Sequence, residues 1–247
     1  MSGRLHPPAR AHGELEELFP DVFFVTGSLG MPGRLPVTFS RNMSVFREGG
    51  RLVLVNSVRL GDAGLAALDA LGKVTDVVRL AGYHGMDDPF YKERYGATVW
   101  ALEGQRYVSG FDLSAPPYLE ADRTLVAGGD LPLRGARLHV IGSKPLEGLL
   151  LVQREGGILV AGDALQNWAK PDPFFSFLGK LMLRGMGFIK PHNLGPAWLK
   201  RTHPPHEHLR QILDLPFEHV LPAHGAPVRG AAKERYRPVI EALPLSG

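Results

Sequence analysis

The chain has 247 residues, 44% of them hydrophobic, which fits two small domains or one large α/β domain with its own core. It contains no cysteine, so disulfide bonds, a thiol nucleophile and thiolate zinc sites are excluded, and a metal must be held by His, Asp, Glu or water. The formal charge is +3, but acidic and basic residues alternate along the chain without forming runs, and we predict no nucleic-acid partner.

Neither a leader nor a membrane span is expected from the apolar pattern. Residues 1–8 lack the apolar segment of a secretory signal, so a cytoplasmic location is the expectation. The most apolar stretch, residues 174–189, is interrupted by Lys180, Arg184 and three glycines. We therefore predict no transmembrane segment.

The first half of the chain alternates strand and helix patterns. Strands are predicted at 21–27, 37–39, 44–47, 51–56 and 75–80, and a helix at about 62–71. Gly49 and Gly50 form the turn of a hairpin between two of these strands. His84 lies in the loop after the strand at 75–80, at an end where α/β sheets gather their functional groups.

After His84 the chain continues to alternate helix and strand patterns. A helix is predicted at 88–95, with Asp88 as its N-cap and Pro89 at its first position. Later elements are strands at 98–101, 137–141, 148–154, 157–161 and 217–221, with helices at 206–213 and 231–243. The last helix is expected to be bent or broken at Pro238. Residues 168–198 are predicted to be an irregular, aromatic insertion.

The loop at 84–89 and the segment after it carry a family resemblance. His84-Gly85-Met86-Asp87-Asp88-Pro89, followed by the helix and strand at 91–101, resembles the metallo-β-lactamase superfamily, whose corresponding loop reads H-x-H-x-D-H. Against that pattern the chain retains His84 and Asp88. Met86 and Pro89 replace the other two histidines.

Three later segments extend this resemblance over about Val22 to Ala242. Ser143 replaces the third histidine of the family, Asp163 matches the bridging aspartate in the G-D motif, and His224 matches the final A-H-G motif. The resemblance implies one domain spanning 1–247, an α/β four-layer αββα sandwich of the metallo-β-lactamase type.

The N-terminal part is also similar to an uncharacterised branch of this superfamily, a domain of unknown function. Residues 41–47, the hairpin and residues 65–74 carry this second similarity. It implies no particular reaction.

The resemblance implies a reduced metal site made of the four retained positions. Asp88, Asp163 and His224 would hold one divalent ion, Zn, Fe or Mn, with His84 as a fourth ligand or as a base beside it. His84 and Asp88 are the predicted catalytic residues. No organic cofactor is predicted.

Each of these residues also has an ordinary structural explanation. His84 can be a hydrogen-bonded loop residue, Asp88 can be a helix N-cap, and Gly-Asp and His-Gly can form turns. Two hypotheses therefore stand: an atypical metal-dependent hydrolase of a small ester, thioester, lactone or phosphoester, or a catalytically inactive ligand-binding or interaction protein without metal. A two-metal enzyme is disfavoured, because Met86, Pro89 and Ser143 cannot replace imidazoles.

The aromatic insertion at 168–198 directly follows Asp163 and gives two compatible predictions. Its aromatic and methionine side chains are expected to cover an apolar substrate as a lid, or to form the interface of a homodimer.

Overall fold

The computed structural model describes residues 6, 8–31, 36–110 and 112–244, so most of the N-terminal segment considered above for a secretory signal lies outside the described residues. The strands are β1 (Glu16–Phe19), β2 (Val22–Gly30), β3 (Thr38–Glu48), β4 (Arg51–Val55), β5 (Lys73–Arg79), β6 (Thr98–Leu102), β7 (Arg123–Leu125), β8 (Ala136–Ile141), β9 (Glu147–Val152), β10 (Ile158–Ala161), β11 (Leu165–Gln166), β12 (Asn193–Leu194) and β13 (His219–Pro222). The helices are α1 (Asp62–Leu71), α2 (Asp88–Tyr95), α3 (Phe177–Gly185), α4 (Pro196–Thr202), α5 (His206–Arg210) and α6 (Ala232–Glu241), and a 3₁₀ turn (Gln211–Asp214) follows α5.

Two sheets face each other at the centre of the domain. The larger sheet has the strand order β1-β2-β3-β4-β5-β6-β7, antiparallel from β1 to β4 and parallel from β4 to β7. The smaller sheet has the order β13-β10-β9-β8, in which only β10 and β13 run parallel. A short ladder of β11 with β12 lies beside them.

The central strands explain why the chain forms layers. Strand β4 is apolar on both faces, so Val53 and Val55 enter the core between the two sheets, whereas Leu52 and Leu54 enter the core beneath α1 and α2. A continuous apolar run of this kind is typical of a strand covered on both sides.

The outer faces of both sheets are covered by helices. Leu65 and Leu68 of α1 and Tyr91 of α2 pack on the larger sheet. Residues of α4, α5 and α6 pack on the smaller sheet in a separate core that includes Trp198, Leu209 and Tyr236. The architecture is therefore the predicted four-layer αββα sandwich.

Three local predictions are corrected. Helix α6 was predicted to be bent or broken at Pro238; it continues through Pro238 to Glu241, so the break is wrong. Helix α2 begins at Asp88, but the N-cap position belongs to Asp87, and no side chain caps the helix. The insertion is not irregular throughout, since it contains α3 and the first three residues of α4.

None of the helices in the described part of the chain is long and apolar enough to span a bilayer.

Candidate metal centre

His84 is placed by a loop that leaves strand β5 at the edge of the inter-sheet core. The backbone N–H of His84 donates to the carbonyl of Ala81 at 3.1 Å, and the histidine is buried. Gly85 follows with φ of +90°, and a Cβ there would lie 2.6 Å from the Tyr107 ring and 2.8 Å from Asp88 Oδ2. The loop that carries His84 therefore requires glycine at position 85.

Asp163 and His224 are brought together by two neighbouring parallel strands. In the register of β10 with β13, Ala161 pairs with Pro222, so each functional residue lies two positions beyond a paired strand end. The N–H of Ala223 also donates to the carbonyl of Ala161 at 3.0 Å, which holds the ends of β10 and β13 together beyond the ladder. The matched offset places both side chains at the same end of the sheet.

Three of the four predicted ligands converge. Oδ1 of Asp163 lies 3.3 Å from Nε2 of His84 and 3.1 Å from Nε2 of His224, and one ligand atom from each residue lies within 4.8 Å of the others. Ligand atoms at the corners of a tetrahedron around Zn²⁺ are about 3.3 Å apart, given metal–ligand bonds of about 2.0–2.1 Å. The spacing of this His84–Asp163–His224 group thus fits a single ion.

The orientation of His224 also fits a metal ligand. Its Nδ1 lies 3.0 Å from the backbone carbonyl of Ser40, and since a carbonyl only accepts, Nδ1 carries the hydrogen. In the neutral ring Nε2 then presents its lone pair to the carboxylate of Asp163. Two acceptors facing each other at 3.1 Å are stabilised by a cation between them, and a backbone carbonyl on the far nitrogen is a frequent partner of ligating histidines.

The electrostatics of the group favour the protonation states that ligands need. Burial raises the pKa of Asp163, but the positive charge of His84 in its protonated form, together with the hydrogen bonds that both imidazoles donate only when Nε2 is protonated, outweighs burial and holds that pKa well below its usual range. Burial lowers the pKa of His84, and the charges of His224 and Arg41 act in the same direction, although Asp163 opposes them. An ionised carboxylate and a neutral imidazole are the forms that bind a metal.

The structure does not bring Asp88 into this group. Its Oδ1 accepts a hydrogen bond from the Ser57 hydroxyl at 2.5 Å, and its Oδ2 accepts one from the Tyr107 hydroxyl at 2.7 Å. Burial is the main cause of its raised pKa. The carboxylate of Asp88 therefore ties α2 to the loop after β4 and to Tyr107.

The residues that replace the missing histidines are in contact with protein groups. Ser143 is buried, and its hydroxyl donates to the carbonyl of Pro145 at 2.8 Å. Met86 lines a small cavity beside Arg41 and Asp87, and those two residues form a buried ion pair.

Glu147, which was not predicted as a site residue, supports the turn at Asp163. Its Oε1 accepts the N–H of Ala164 at 2.5 Å, whereas Oε2 is buried and has no hydrogen-bond partner within the described residues. Burial, and then the negative charge of Asp163, raise the pKa of Glu147 well above its ordinary value. The only sequence signal was a glutamate at the head of the otherwise apolar strand β9.

The insertion packs directly against the His84–Asp163–His224 group. The Trp168 ring lies 5.1 Å from the ring of His224, measured between centroids, and its Nε1 donates to the Ser40 hydroxyl at 2.9 Å. That hydroxyl in turn donates to the carboxylate of Asp172. Ser40 thus contacts His224 through its carbonyl and the insertion through its side chain.

Comparison with known proteins agrees with this architecture. No protein-family model and no curated protein matches the chain, so the similarity to an uncharacterised branch stays a prediction. Solved structures do match. The metallo-β-lactamase of Hirschia baltica is 16% identical with a TM-score of 0.59, over 92% of this chain and 97% of that one. The metallo-β-lactamase FIM-1 of Pseudomonas aeruginosa, solved in its mono-zinc form, is 12% identical with a TM-score of 0.62, over 95% and 97%.

A third match points the same way. The metallo-β-lactamase of Erythrobacter litoralis is 15% identical with a TM-score of 0.57, over 95% of this chain and 96% of that one. Similarity at this level of identity concerns the fold. With the two sheets, their outer helices and the matching coverage from end to end, the chain has the metallo-β-lactamase fold.

Proposed function

We propose that this chain is a metal-dependent hydrolase whose His84, Asp163 and His224 hold a single divalent ion. The observation that carries the proposal is the convergence of two imidazole nitrogens on one carboxylate oxygen, at 3.3 and 3.1 Å, in a buried site. Zn, Fe and Mn all suit two imidazoles and one carboxylate.

Each part of the centre has a role in this proposal. A divalent ion bound there would lower the pKa of a bound water and polarise a carbonyl or phosphoryl group. Asp163 supplies the negative charge that offsets the ion, and the Ser40 carbonyl keeps Nε2 of His224 directed at the site. Trp168 and Phe39 cover the His224 ring and exclude water from that side.

The catalytic roles of Asp88 and His84, and ligation by Asp88, remain predictions. Ligation and catalysis by Asp88 would require its carboxylate to leave the Ser57 and Tyr107 hydroxyls, so its contacts support an anchoring role better. A catalytic role for His84 beyond ligation is a second prediction.

The substrate and the surroundings of the proposed enzyme also remain predictions. A small ester, thioester, lactone or phosphoester is the proposed substrate, because each presents a carbonyl or phosphoryl group that an ion polarises. A cytoplasmic location and a homodimer formed through residues 168–198 are parts of the same proposal. The mass of the protein in solution tests the dimer.

The alternative function is a metal-free binding protein with the same sandwich. The observation that favours it is that Ser143, Met86 and Pro89 occupy the positions of three imidazoles in the family pattern, and that Ser143 is buried. A protein that lost its catalytic chemistry would retain the sandwich and its cores while drifting at these positions.

Elemental analysis after growth in medium supplemented with Zn, Fe and Mn decides between the two functions. We expect about one equivalent of metal per chain if three protein ligands hold the ion. Turnover should be measured on a panel of p-nitrophenyl acetate, a thioester, a homoserine lactone and a phosphodiester. Asp163→Ala and His224→Ala should remove both metal and turnover.

The matched control is His203→Asn. His203 is exposed and has φ of +44°, a conformation that asparagine adopts readily, so the variant should keep both metal and turnover. A wild-type protein that contains no metal, and whose thermal melt is unchanged by chelator, would leave the metal-free alternative.

A further inference from the structure

Helix α3 of the insertion exposes large apolar side chains. Phe177 is 84% exposed and Leu181, one turn further on, is 63% exposed, while Met186 just beyond the helix is 47% exposed. Residues four positions apart lie on one side of a helix. Exposed apolar side chains that cluster in this way mark interaction surfaces, whereas isolated ones need no explanation.

Cations are interleaved with these apolar side chains. Lys180 and Arg184 are exposed and share the helix side of Phe177 and Leu181, because the four residues follow the spacing i, i+3, i+4, i+7. We call these four residues the α3 outer face. Neither cation has a carboxylate partner within the described residues.

The surrounding segment reinforces the positive charge. Between Asp172 and Glu207 the chain has five lysines and arginines and no acidic residue. In the rest of the chain acidic and basic residues alternate, so this is a local departure from the general pattern. The α3 outer face is thus both apolar and purely cationic.

The opposite side of α3 is firmly packed, so the outer face is held in a fixed position. Gly179 lies against the carbonyl of Thr38, too close for a Cβ, and Leu183 is buried in a cluster with Trp168 and Phe175. Ser176 caps the helix by accepting the N–H of Gly179 at 3.1 Å, and the N–H of Thr38 donates to the same hydroxyl at 3.1 Å. Apolar side chains that could have turned inward are therefore held outward.

We propose that the α3 outer face binds the surface of an anionic lipid bilayer. A helix lying in the plane of a membrane inserts aromatic and aliphatic side chains below the headgroups while lysine and arginine contact the anionic headgroups. The alternation of Phe177 and Leu181 with Lys180 and Arg184 provides both contacts on one side of a helix.

A second copy of the chain suits the α3 outer face less well, so the homodimer proposed above would have to use other parts of residues 168–198. In a two-fold symmetric dimer the same patch meets itself, so Lys180 and Arg184 would face the same cations on the partner, and residues 173–206 contain no acidic residue to compensate. The charge favours an anionic surface as the occupant. This inference concerns α3 and does not depend on metal or turnover at His84, Asp163 and His224.

Sedimentation with vesicles tests the proposal on the full chain. We expect the protein to sediment with phosphatidylcholine vesicles that contain phosphatidylglycerol, and to remain in the supernatant with phosphatidylcholine alone. The double variant K180Q/R184Q should bind about 25-fold more weakly, from about fivefold for each cation removed near the surface. The double variant F177S/L181S should lose binding altogether.

Controls of the same chemistry are available elsewhere on the surface. R137Q removes an exposed cation from β8, and V126S removes an exposed apolar side chain beyond β7, so both should bind like the wild type. All the substituted side chains are exposed, and thermal melts verify that the variants are folded. Absence of sedimentation, equal binding to neutral vesicles, or a dimer that F177S/L181S dissociates would each overturn the proposal, the last in favour of a second copy as the occupant.

Discussion

Asp163 and Asp88 are both buried carboxylates near the same loop, yet their surroundings differ in kind. Asp163 faces two imidazoles, and its pKa is held well below its usual range. Asp88 faces two hydroxyls, and its pKa is raised. Burial acts in the same direction on both groups, so the neighbours decide the outcome. A buried carboxylate thus indicates a metal centre only when its partners can also be ligands.

Exchange of each carboxylate for an amide should give the largest difference. Asp163→Asn removes the only charged ligand of the His84–Asp163–His224 group and should weaken metal binding by more than about 100-fold, since the loss of a supporting residue alone typically costs 10–100-fold. Asp88→Asn should change metal affinity by less than about tenfold by the same comparison. Competition titration with a chromophoric zinc chelator measures both affinities. Equal losses in the two variants would contradict the distinction.

Added metal should stabilise only proteins with an intact group. An ion present at 100 times its dissociation constant raises the free energy of unfolding by about 2.7 kcal/mol. We expect this increase in the wild type and in Asp88→Asn, and no increase in Asp163→Asn. Urea denaturation with and without Zn²⁺ measures it. An equal increase in Asp163→Asn would place the ion elsewhere.

Loss of the Tyr107 hydroxyl should affect stability and leave metal affinity unchanged. Tyr107→Phe removes the donor to Asp88 Oδ2 at 2.7 Å and leaves a buried acceptor unpaired, which costs about 1–3 kcal/mol. Urea denaturation measures the loss. Tyr118→Phe, in the neighbouring and exposed ring, is the matched control and should be neutral. A change in metal affinity in Tyr107→Phe would mean that Asp88 belongs to the centre after all.

Glu147 should make the free energy of unfolding depend on pH. Its pKa in the folded protein is raised well above its ordinary value of 4.5, so the folded state binds more protons than the unfolded state over that interval. The stability that protonated Glu147 contributes is complete below the ordinary pKa and falls as pH rises towards the raised pKa, by up to about 1.4 kcal/mol per pH unit. Glu147→Gln keeps an acceptor for Ala164 and should lack this part of the fall. Parallel pH profiles of the two metal-free proteins would show that Glu147 is ionised in the fold.

Predictability of the fold followed the strength of local patterns. Helix α1 and strand β6 were expected within a residue or two, because their apolar residues recur at one clear period. Helix α3 was missed, since Gly179, Gly185 and Phe177 are poor helix formers. The helix packs against Thr38, which contacts Gly179 although it lies 141 positions earlier in the sequence. The only local feature that indicated a helix was Ser176 at the N-cap.

Predictability of the site followed the same rule. His84, Asp163 and His224 each belong to a recognisable motif, and their meeting follows from strand order. The partners of Asp88 could not be predicted, because Ser57 and Tyr107 precede and follow it by 31 and 19 positions. The contact between His224 and the Ser40 carbonyl could not be predicted either, since every residue has a backbone carbonyl.

Because His224 is oriented by the backbone carbonyl of Ser40, and Trp168 by its side chain, the two contacts differ in their tolerance to substitution. Substitution at position 40 leaves the backbone acceptor of His224 Nδ1 in place, whereas it removes the hydroxyl that receives the N–H of Trp168. Loss of the hydroxyl would remove the hydrogen bond from Trp168 of the insertion, while the orientation of His224 would be unchanged. Substitutions in the insertion that covers His224 would therefore leave Nε2 of His224 directed at Asp163.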